Sequence, residues 1–453
     1  MHHVPLLDYR GKPTAAARMV PCPRTMIARA PITVIERSGS RPAYVWTVFA
    51  LTFALMLSDF MTRNVMSGVM PLLARDWALN DSQLGALVGI VPLVVGIASW
   101  PVSLLADRWG HVRSVTAMAA LWCVATIGCG LSQTHAQMFV ARGVLGLGEA
   151  AYTSVGGAVL SRVFPADRLA AVLGAFQSAA VFGTVLGVAA GGVIAARYGW
   201  PTAFISTGLG SLGIVLLFAV FVRESHGTRS SRADEPASIA IHTLGLGATL
   251  RDMFAARSAT FTYLGTGLQT LVLGAISAWI PSFLAREYGL PADQAGLRGA
   301  LIVMAAAAGM IAGGGLADRA ARMLPRRRLQ LAAAYSFSAF ALLSAAFALP
   351  TGALQVTLLV IGSMMAGGHV GVVAAVVIDV THPGLRATAL GTVVLFNNLL
   401  GLAPGPLLVG LLSDATSLKT AMTVIPVAGA FAALCFVLAA HSYEADRPAR
   451  AAA

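Results

Sequence analysis

Twelve apolar stretches, each long enough to cross a bilayer as a helix, dictate what this chain can become. They run at approximately 44–66, 84–106, 112–131, 137–161, 169–195, 201–222, 257–285, 295–317, 328–349, 354–380, 386–412 and 419–441. About 20 residues of helix span the hydrocarbon core. Lipid offers the backbone no hydrogen-bonding partner, so a spanning segment must satisfy its own N–H and C=O groups, as a helix does. The pattern predicts an all-α membrane protein with twelve transmembrane helices. The chain is 57% apolar and only 11% charged, whereas soluble domains carry about 25% charged residues.

Charge then sets the topology. The formal net charge is +12, a value that could suggest nucleic acid, but the distribution argues otherwise. With the N-terminus inside, 24 of the 31 Lys and Arg fall on cytoplasmic tails and loops, so the excess follows the positive-inside rule. Both termini are expected in the cytoplasm, and no nucleic-acid partner is expected. Residues 1–43 form a basic tail broken by prolines. No short basic region followed by an apolar core and a small-residue cleavage site occurs there, so a signal peptide is not expected. Cys22, Cys123, Cys129 and Cys435 follow neither metal nor disulfide spacing.

The chain repeats itself. Leu73–Leu79 matches Leu284–Leu290 at an offset of 211, which also superposes Ala106-Asp-Arg108 on Ala317-Asp-Arg319. An offset of 218 superposes Gly183 and Gly187 on Gly401 and Gly405. The expected organisation is a cytoplasmic tail over 1–43, a six-helix bundle over 44–222, a cytoplasmic linker over 223–256, a second six-helix bundle over 257–441 and a tail over 442–453. Two pseudo-symmetric bundles suit alternating access around a midplane site.

Charges inside the spans are costly and normally face a bundle interior or a polar cavity. Asp59 and Arg63 are four apart in the first span, and Arg142 and Glu149 seven apart in the fourth, so each pair shares a helix face. These positions map onto Thr270, Gly274, Val360 and Gly367 in the second repeat. The fold's symmetry therefore does not require the charges, and this favours an asymmetric working site over a packing device. Burial favours a neutral carboxyl while a nearby guanidinium favours the carboxylate. Glu149, with Asp59, is accordingly the expected proton-coupling group. Arg63 and Arg142 are expected to hold an anion through the guanidinium fork, with Tyr152, Gln269, His369, Asn397 and Asn398 as further lining. A satisfied core histidine is an equally good reading of His369. Asp107, Arg108, Arg113, Asp318, Arg319, Asp379 and Arg386 lie at cytoplasmic helix ends and are expected to act in gating.

Ser103-Leu-Leu-Ala-Asp107-Arg108-Trp-Gly110 and Gly314-Gly-Leu-Ala-Asp318-Arg319 resemble the Gly-x-x-x-Asp-Arg-x-Gly loop of the major facilitator superfamily over roughly residues 44–441. Arg142-Gly-Val-Leu-Gly-Leu-Gly-Glu149-Ala-Ala-Tyr152 is similar to the spinster-like branch, associated with lysolipid and sphingolipid export. It also resembles the anion:cation symporter branch, associated with organic-acid uptake. Both branches commonly place Asp directly before the first-span arginine; here Thr62 precedes Arg63 and Asp59 lies a turn away. The resemblance implies a bacterial inner-membrane location.

The expected function is secondary active transport: proton-coupled uptake of a small organic anion, with a lysolipid or amphipathic drug as the alternative cargo. Expected partners are protons, membrane lipid and a small-molecule substrate, with the chain a monomer. A non-transporting scaffold fits the buried charges less well. An enzyme is not expected, since no nucleotide fingerprint, metal cluster or nucleophile–base arrangement is present, and no cofactor is expected.

Overall fold

The computed structural model describes residues 42–150, 152–164, 166–222, 254–322, 324–381 and 386–446, with a few side chains inside helices excepted. The linker expected at 223–256 lies almost wholly outside the described residues, as do the expected tail residues 1–41 and 447–453. Every element among the described residues is helical, and eleven helices are long and apolar enough to cross a membrane. This is an all-α integral membrane protein.

The first helix, α1 (Pro42–Trp77), runs well past the expected end of its apolar stretch. α2 (Asp81–Trp109) begins at Asn80, whose side chain accepts from the Gln83 N–H at 2.9 Å, while Gln83 Oε1 accepts from the Asn80 N–H at 3.1 Å. This reciprocal capping box satisfies two donors that a helix start would otherwise leave orphaned. α3 (His111–Leu131) follows after Gly110, whose φ of +94° a glycine adopts at little cost. The fourth expected span is described as two shorter helices, α4 (His135–Glu149) and α5 (Tyr152–Val163), on either side of residue 151. Next come α6 (Ala166–Tyr198) and α7 (Trp200–Phe221).

After residue 254 the chain forms α8 (Arg257–Tyr288), α9 (Ala292–Ala321), α10 (Arg327–Ala348), α11 (Ala353–Gly367) and α12 (Val370–Val380). α13 (Arg386–Phe396) passes through a π-helical turn, Asn397–Leu402, into α14 (Pro404–Ala415). The chain closes with α15 (Leu418–Val424) and α16 (Val427–Asp446).

Without a hydrophobic drive between helices in lipid, small residues that allow close backbone approach set the packing. Gly183, Gly187 and Gly191 on α6 lie against the carbonyls of Leu57, Met61 and Val65 on α1. Their counterparts Gly401 and Gly405 lie against the carbonyls of Gly267 and Leu271 on α8, so the sequence repeat reappears as a repeated contact. Glycines also join the earlier helices to the later ones: Gly85 and Gly89 on α2 meet the carbonyls of Pro406 and Ala403, and Gly192 on α6 meets Gly296 on α9.

The apolar core is continuous at one end and divided at the other. At the end bearing the 77–81 and 288–292 turns, one cluster joins Val69, Leu73 and Leu84 to Trp279, Phe283 and Phe347. Towards the opposite end the core separates. One cluster holds only earlier residues, such as Leu55, Trp122 and Phe176; the other holds only later ones, such as Tyr263, Val376 and Phe436.

Candidate transport site

α1 and α4 bring three of the four intramembrane charges together. Arg63 donates from Nε and from Nη2 to the same oxygen, Oε2 of Glu149, at 2.8 and 2.7 Å. Asp59 stands one turn before Arg63 on α1, buried like Glu149. Asp59 Oδ1 and Glu149 Oε1 are buried with no hydrogen-bond partner. Both acids are nearly inaccessible, at 2% and 3% relative exposure, so neither is solvated in place.

Sharing a helix face does not make an ion pair within either helix. Arg142 does not pair with Glu149. Seven residues of helix rise about 10.5 Å, and a helical side chain leans back toward the N-terminus. Arg142 accordingly reaches α2, donating from Nε to the Leu87 carbonyl, and from Nη2 to the Arg63 carbonyl at 3.4 Å. It is fully buried, with Nη1 unpartnered, and ties α4 to α1 and α2. Nor does Arg63 spend its fork on Asp59, its neighbour one turn away; Glu149 takes both hydrogen bonds.

Arg63 also faces outward from the cluster. Its guanidinium sits 5.1 Å from the Phe60 ring centroid, a cation–π distance. It lines a cavity together with Asn64, Ser67, Val88, Pro92, Ser277, Leu402 and Pro406. Ser67 and Ser277 were not anticipated; Ser67 lies four residues after Arg63, and that spacing alone places it on the Arg63 face.

The remaining expected residues are dispersed. Tyr152 is in the packed core, its hydroxyl donating to the Thr52 carbonyl at 2.8 Å and its ring meeting Trp122 edge-on at 5.1 Å. Gln269 and His369 are fully buried and share one acceptor, the Ala366 carbonyl, at 3.4 Å from Gln269 Nε2 and 2.9 Å from His369 Nδ1. His369 lies beside Phe436, so its surroundings are those of a core histidine. Asn397, the first residue of the π-helical turn, accepts from the hydroxyls of Thr266 and Thr270 at 3.0 and 3.2 Å. Asn398 turns back to the Val394 carbonyl.

Of the gating candidates, Asp318 and Asp379 are drawn together by Arg328, which bonds them at 3.2 and 3.1 Å, and Tyr443 donates to Asp379 at 3.0 Å. Arg113 and Arg319 are exposed. The side chains of Asp107, Arg108 and Arg386 lie outside the described residues.

A family model described as Major Facilitator Superfamily matches residues 48–406. Human protein spinster homolog 1 is 25% identical over 443 residues, covering 90% of this chain and 83% of that protein. An MFS-type efflux pump of Mycolicibacterium smegmatis is 27% identical over 424 residues, covering 91% and 96%. The crystal structure of a bacterial homolog to the human lysosomal transporter spinster, in an inward-facing and unoccupied conformation, superposes with a TM-score of 0.81. It is 20% identical and covers 91% of this chain and all of that one.

Proposed function

Because the chain belongs to the major facilitator superfamily, a family of secondary active transporters that work by alternating access, we propose that it carries an amphipathic molecule with an anionic head group, of the lysolipid or amphipathic-drug class, in exchange with or alongside protons. The observation that carries the reading is the double engagement of Arg63, which holds Glu149 and at the same time lines the cavity. The cavity walls support an amphipathic cargo: Arg63, Asn64, Ser67 and Ser277 offer polar groups, while Val88, Pro92, Leu402 and Pro406 offer an apolar surface. One relative is named an MFS-type efflux pump.

The coupling we propose is competition for one guanidinium. An anionic head group entering the cavity draws the Arg63 fork away from Glu149. A buried carboxylate that loses its cation is costly, so Glu149 takes up a proton. When the head group leaves, Arg63 returns and that proton is released. Arg142 positions α1 and α4 for this exchange and does not itself hold the cargo.

A small organic anion remains the second reading, favoured by Arg63 as a single strong anion anchor on the cavity wall. For either cargo we propose that residues 135–163 act together as one further span, giving twelve spans in two six-helix halves. Both termini would then face the cytoplasm, and the membrane would be a bacterial inner membrane.

Proteoliposomes test this. Movement of a fluorescent lysolipid driven by an imposed pH gradient, and lost in Glu149→Gln, supports the first reading. Saturable carboxylate uptake under the same gradient, with no lysolipid movement, would replace it with the second.

A further inference from the structure

Where the core is continuous, the start of α2 is held by the later helices through a set of polar contacts that the coupling scheme does not use. Arg286, at the end of α8, grips the Asp81 carboxylate with both guanidinium nitrogens, one at 2.7 Å. Ser413 on α14 donates its hydroxyl to the same carboxylate. Asp414 accepts from the backbone N–H groups of Asp81 and Ser82 at 2.8 and 2.9 Å, so a carboxylate of one half caps a helix of the other. Gly410 lies directly against the Asp81 carbonyl, which lets the two backbones close to that distance.

We propose that Asp81, Arg286, Ser413 and Asp414 form the gate that holds this end of the bundle shut, and that they part each time the cavity opens to this side. The inference rests on alternating access and not on the identity of the cargo. Two features make the contact a latch instead of a permanent strut. First, Arg286 is 40% exposed at its side chain and Asp414 is exposed, so water can replace the lost partners when the ends separate, and an ion pair at such a boundary is weak enough to break. Second, α2 keeps a cap of its own: the Asn80–Gln83 box remains when Asp414 withdraws, so opening does not fray the helix. The contacts also sit where the core is shared. At the other end the core is already divided between earlier and later helices, so a hinge that opens this end needs the polar contacts broken along with the glycine–carbonyl approaches at Gly85 and Gly89.

Distance measurements between spin labels on the full-length protein test the gate. Labels at Gln133→Cys and Thr351→Cys, both exposed in turns at this end, one in each half, are placed in a chain whose four native cysteines have been replaced. Arg286→Gln and Asp414→Asn are each expected to raise the ratio of long to short distances by roughly threefold to tenfold, the range set by losing one or two charge-assisted hydrogen bonds at a partly exposed site. Arg286→Lys, which keeps the charge, should shift it less. An unchanged distribution in the Arg286→Gln/Asp414→Asn double variant overturns the gate. So does an equal shift between Thr351→Cys and Thr416→Cys, two exposed positions within the later half, since that would mark general loosening. A failure of lysolipid and carboxylate transport leaves these distances untouched, so the two proposals fail separately.

Discussion

Arg63 presents two nitrogens to a single oxygen of Glu149, at 2.8 and 2.7 Å, across 86 residues of sequence. One carboxylate oxygen thus absorbs the whole fork on that side, and the other oxygen is left without a partner. Lysine carries the same charge but offers a point donor and not a planar fork. Arg63→Lys should therefore keep the protein folded and lower transport about tenfold or more, the effect of losing one charge-assisted hydrogen bond of roughly 1.5–3 kcal/mol. Initial rates in proteoliposomes decide it; a rate within twofold of the parent would mean that Arg63 acts as charge alone.

The Arg63 contact separates the two acids: it engages Glu149, and no bond to Asp59 accompanies it. Glu149→Gln keeps a hydrogen-bonding group beside Arg63 but removes the titrating carboxyl, so pH-gradient stimulation should disappear while cargo exchange across the membrane without a gradient survives. Asp59→Asn leaves Glu149 paired with Arg63 and should shift the pH dependence of transport without abolishing it. Measuring rate against pH for both variants checks the assignment. Loss of gradient coupling in Asp59→Asn with retention in Glu149→Gln would reverse the two roles.

The spans were legible because lipid forces the pattern: an apolar run of that length has few alternatives to a helix. Helix ends were less so. α1 continues to Trp77 because the polar Ala74-Arg75-Asp76 turn is still helical, and hydropathy does not report that. Charge depth was also readable, since Asp59, Arg63, Arg142 and Glu149 are all in the interior. Their partners were not, because spacing on one helix says nothing of which neighbouring helix a side chain meets. Arg142 found a carbonyl of α2, and Glu149 found Arg63. The same blindness hid Asp81, whose local signature, Asn80-Asp81-Ser82-Gln83, looks only like a helix start. Its partner Arg286 stood in the repeated Leu284–Leu290 segment and could have been noticed there as a charge facing the opposite repeat.

The glycines of α6 give a stability test. A side chain at Gly187 would meet the Met61 carbonyl, with the Met61 Cα at 3.0 Å as a second obstacle, and neither is a flexible group that can swing away. Gly187→Val should cost about 1–3 kcal/mol or prevent assembly altogether. Gly174→Ala, on the same helix with nothing within 4 Å, should be neutral or stabilising by about 0.5–1 kcal/mol. Thermal unfolding in detergent separates them, and a similar loss in both would remove the close approach to α1 as the cause.

Tyr152 distinguishes a core anchor from a cargo contact. Its ring is fully buried against Trp122 and Phe176, and its hydroxyl already has a partner in the Thr52 carbonyl. Tyr152→Phe keeps the ring and removes only that bond, at a cost of about 0.5–1.5 kcal/mol. The expected result is a Tm lowered by a few degrees with the KM for cargo unchanged, because no cavity wall has altered. Tyr152→Ala goes further, since it empties an aromatic site packed against Trp122 and Phe176, and it should reduce both stability and rate. If Tyr152→Phe instead weakens KM severalfold at an unchanged Tm, the hydroxyl must leave Thr52 during the cycle and meet the cargo, and Tyr152 then joins Arg63 on the cavity wall.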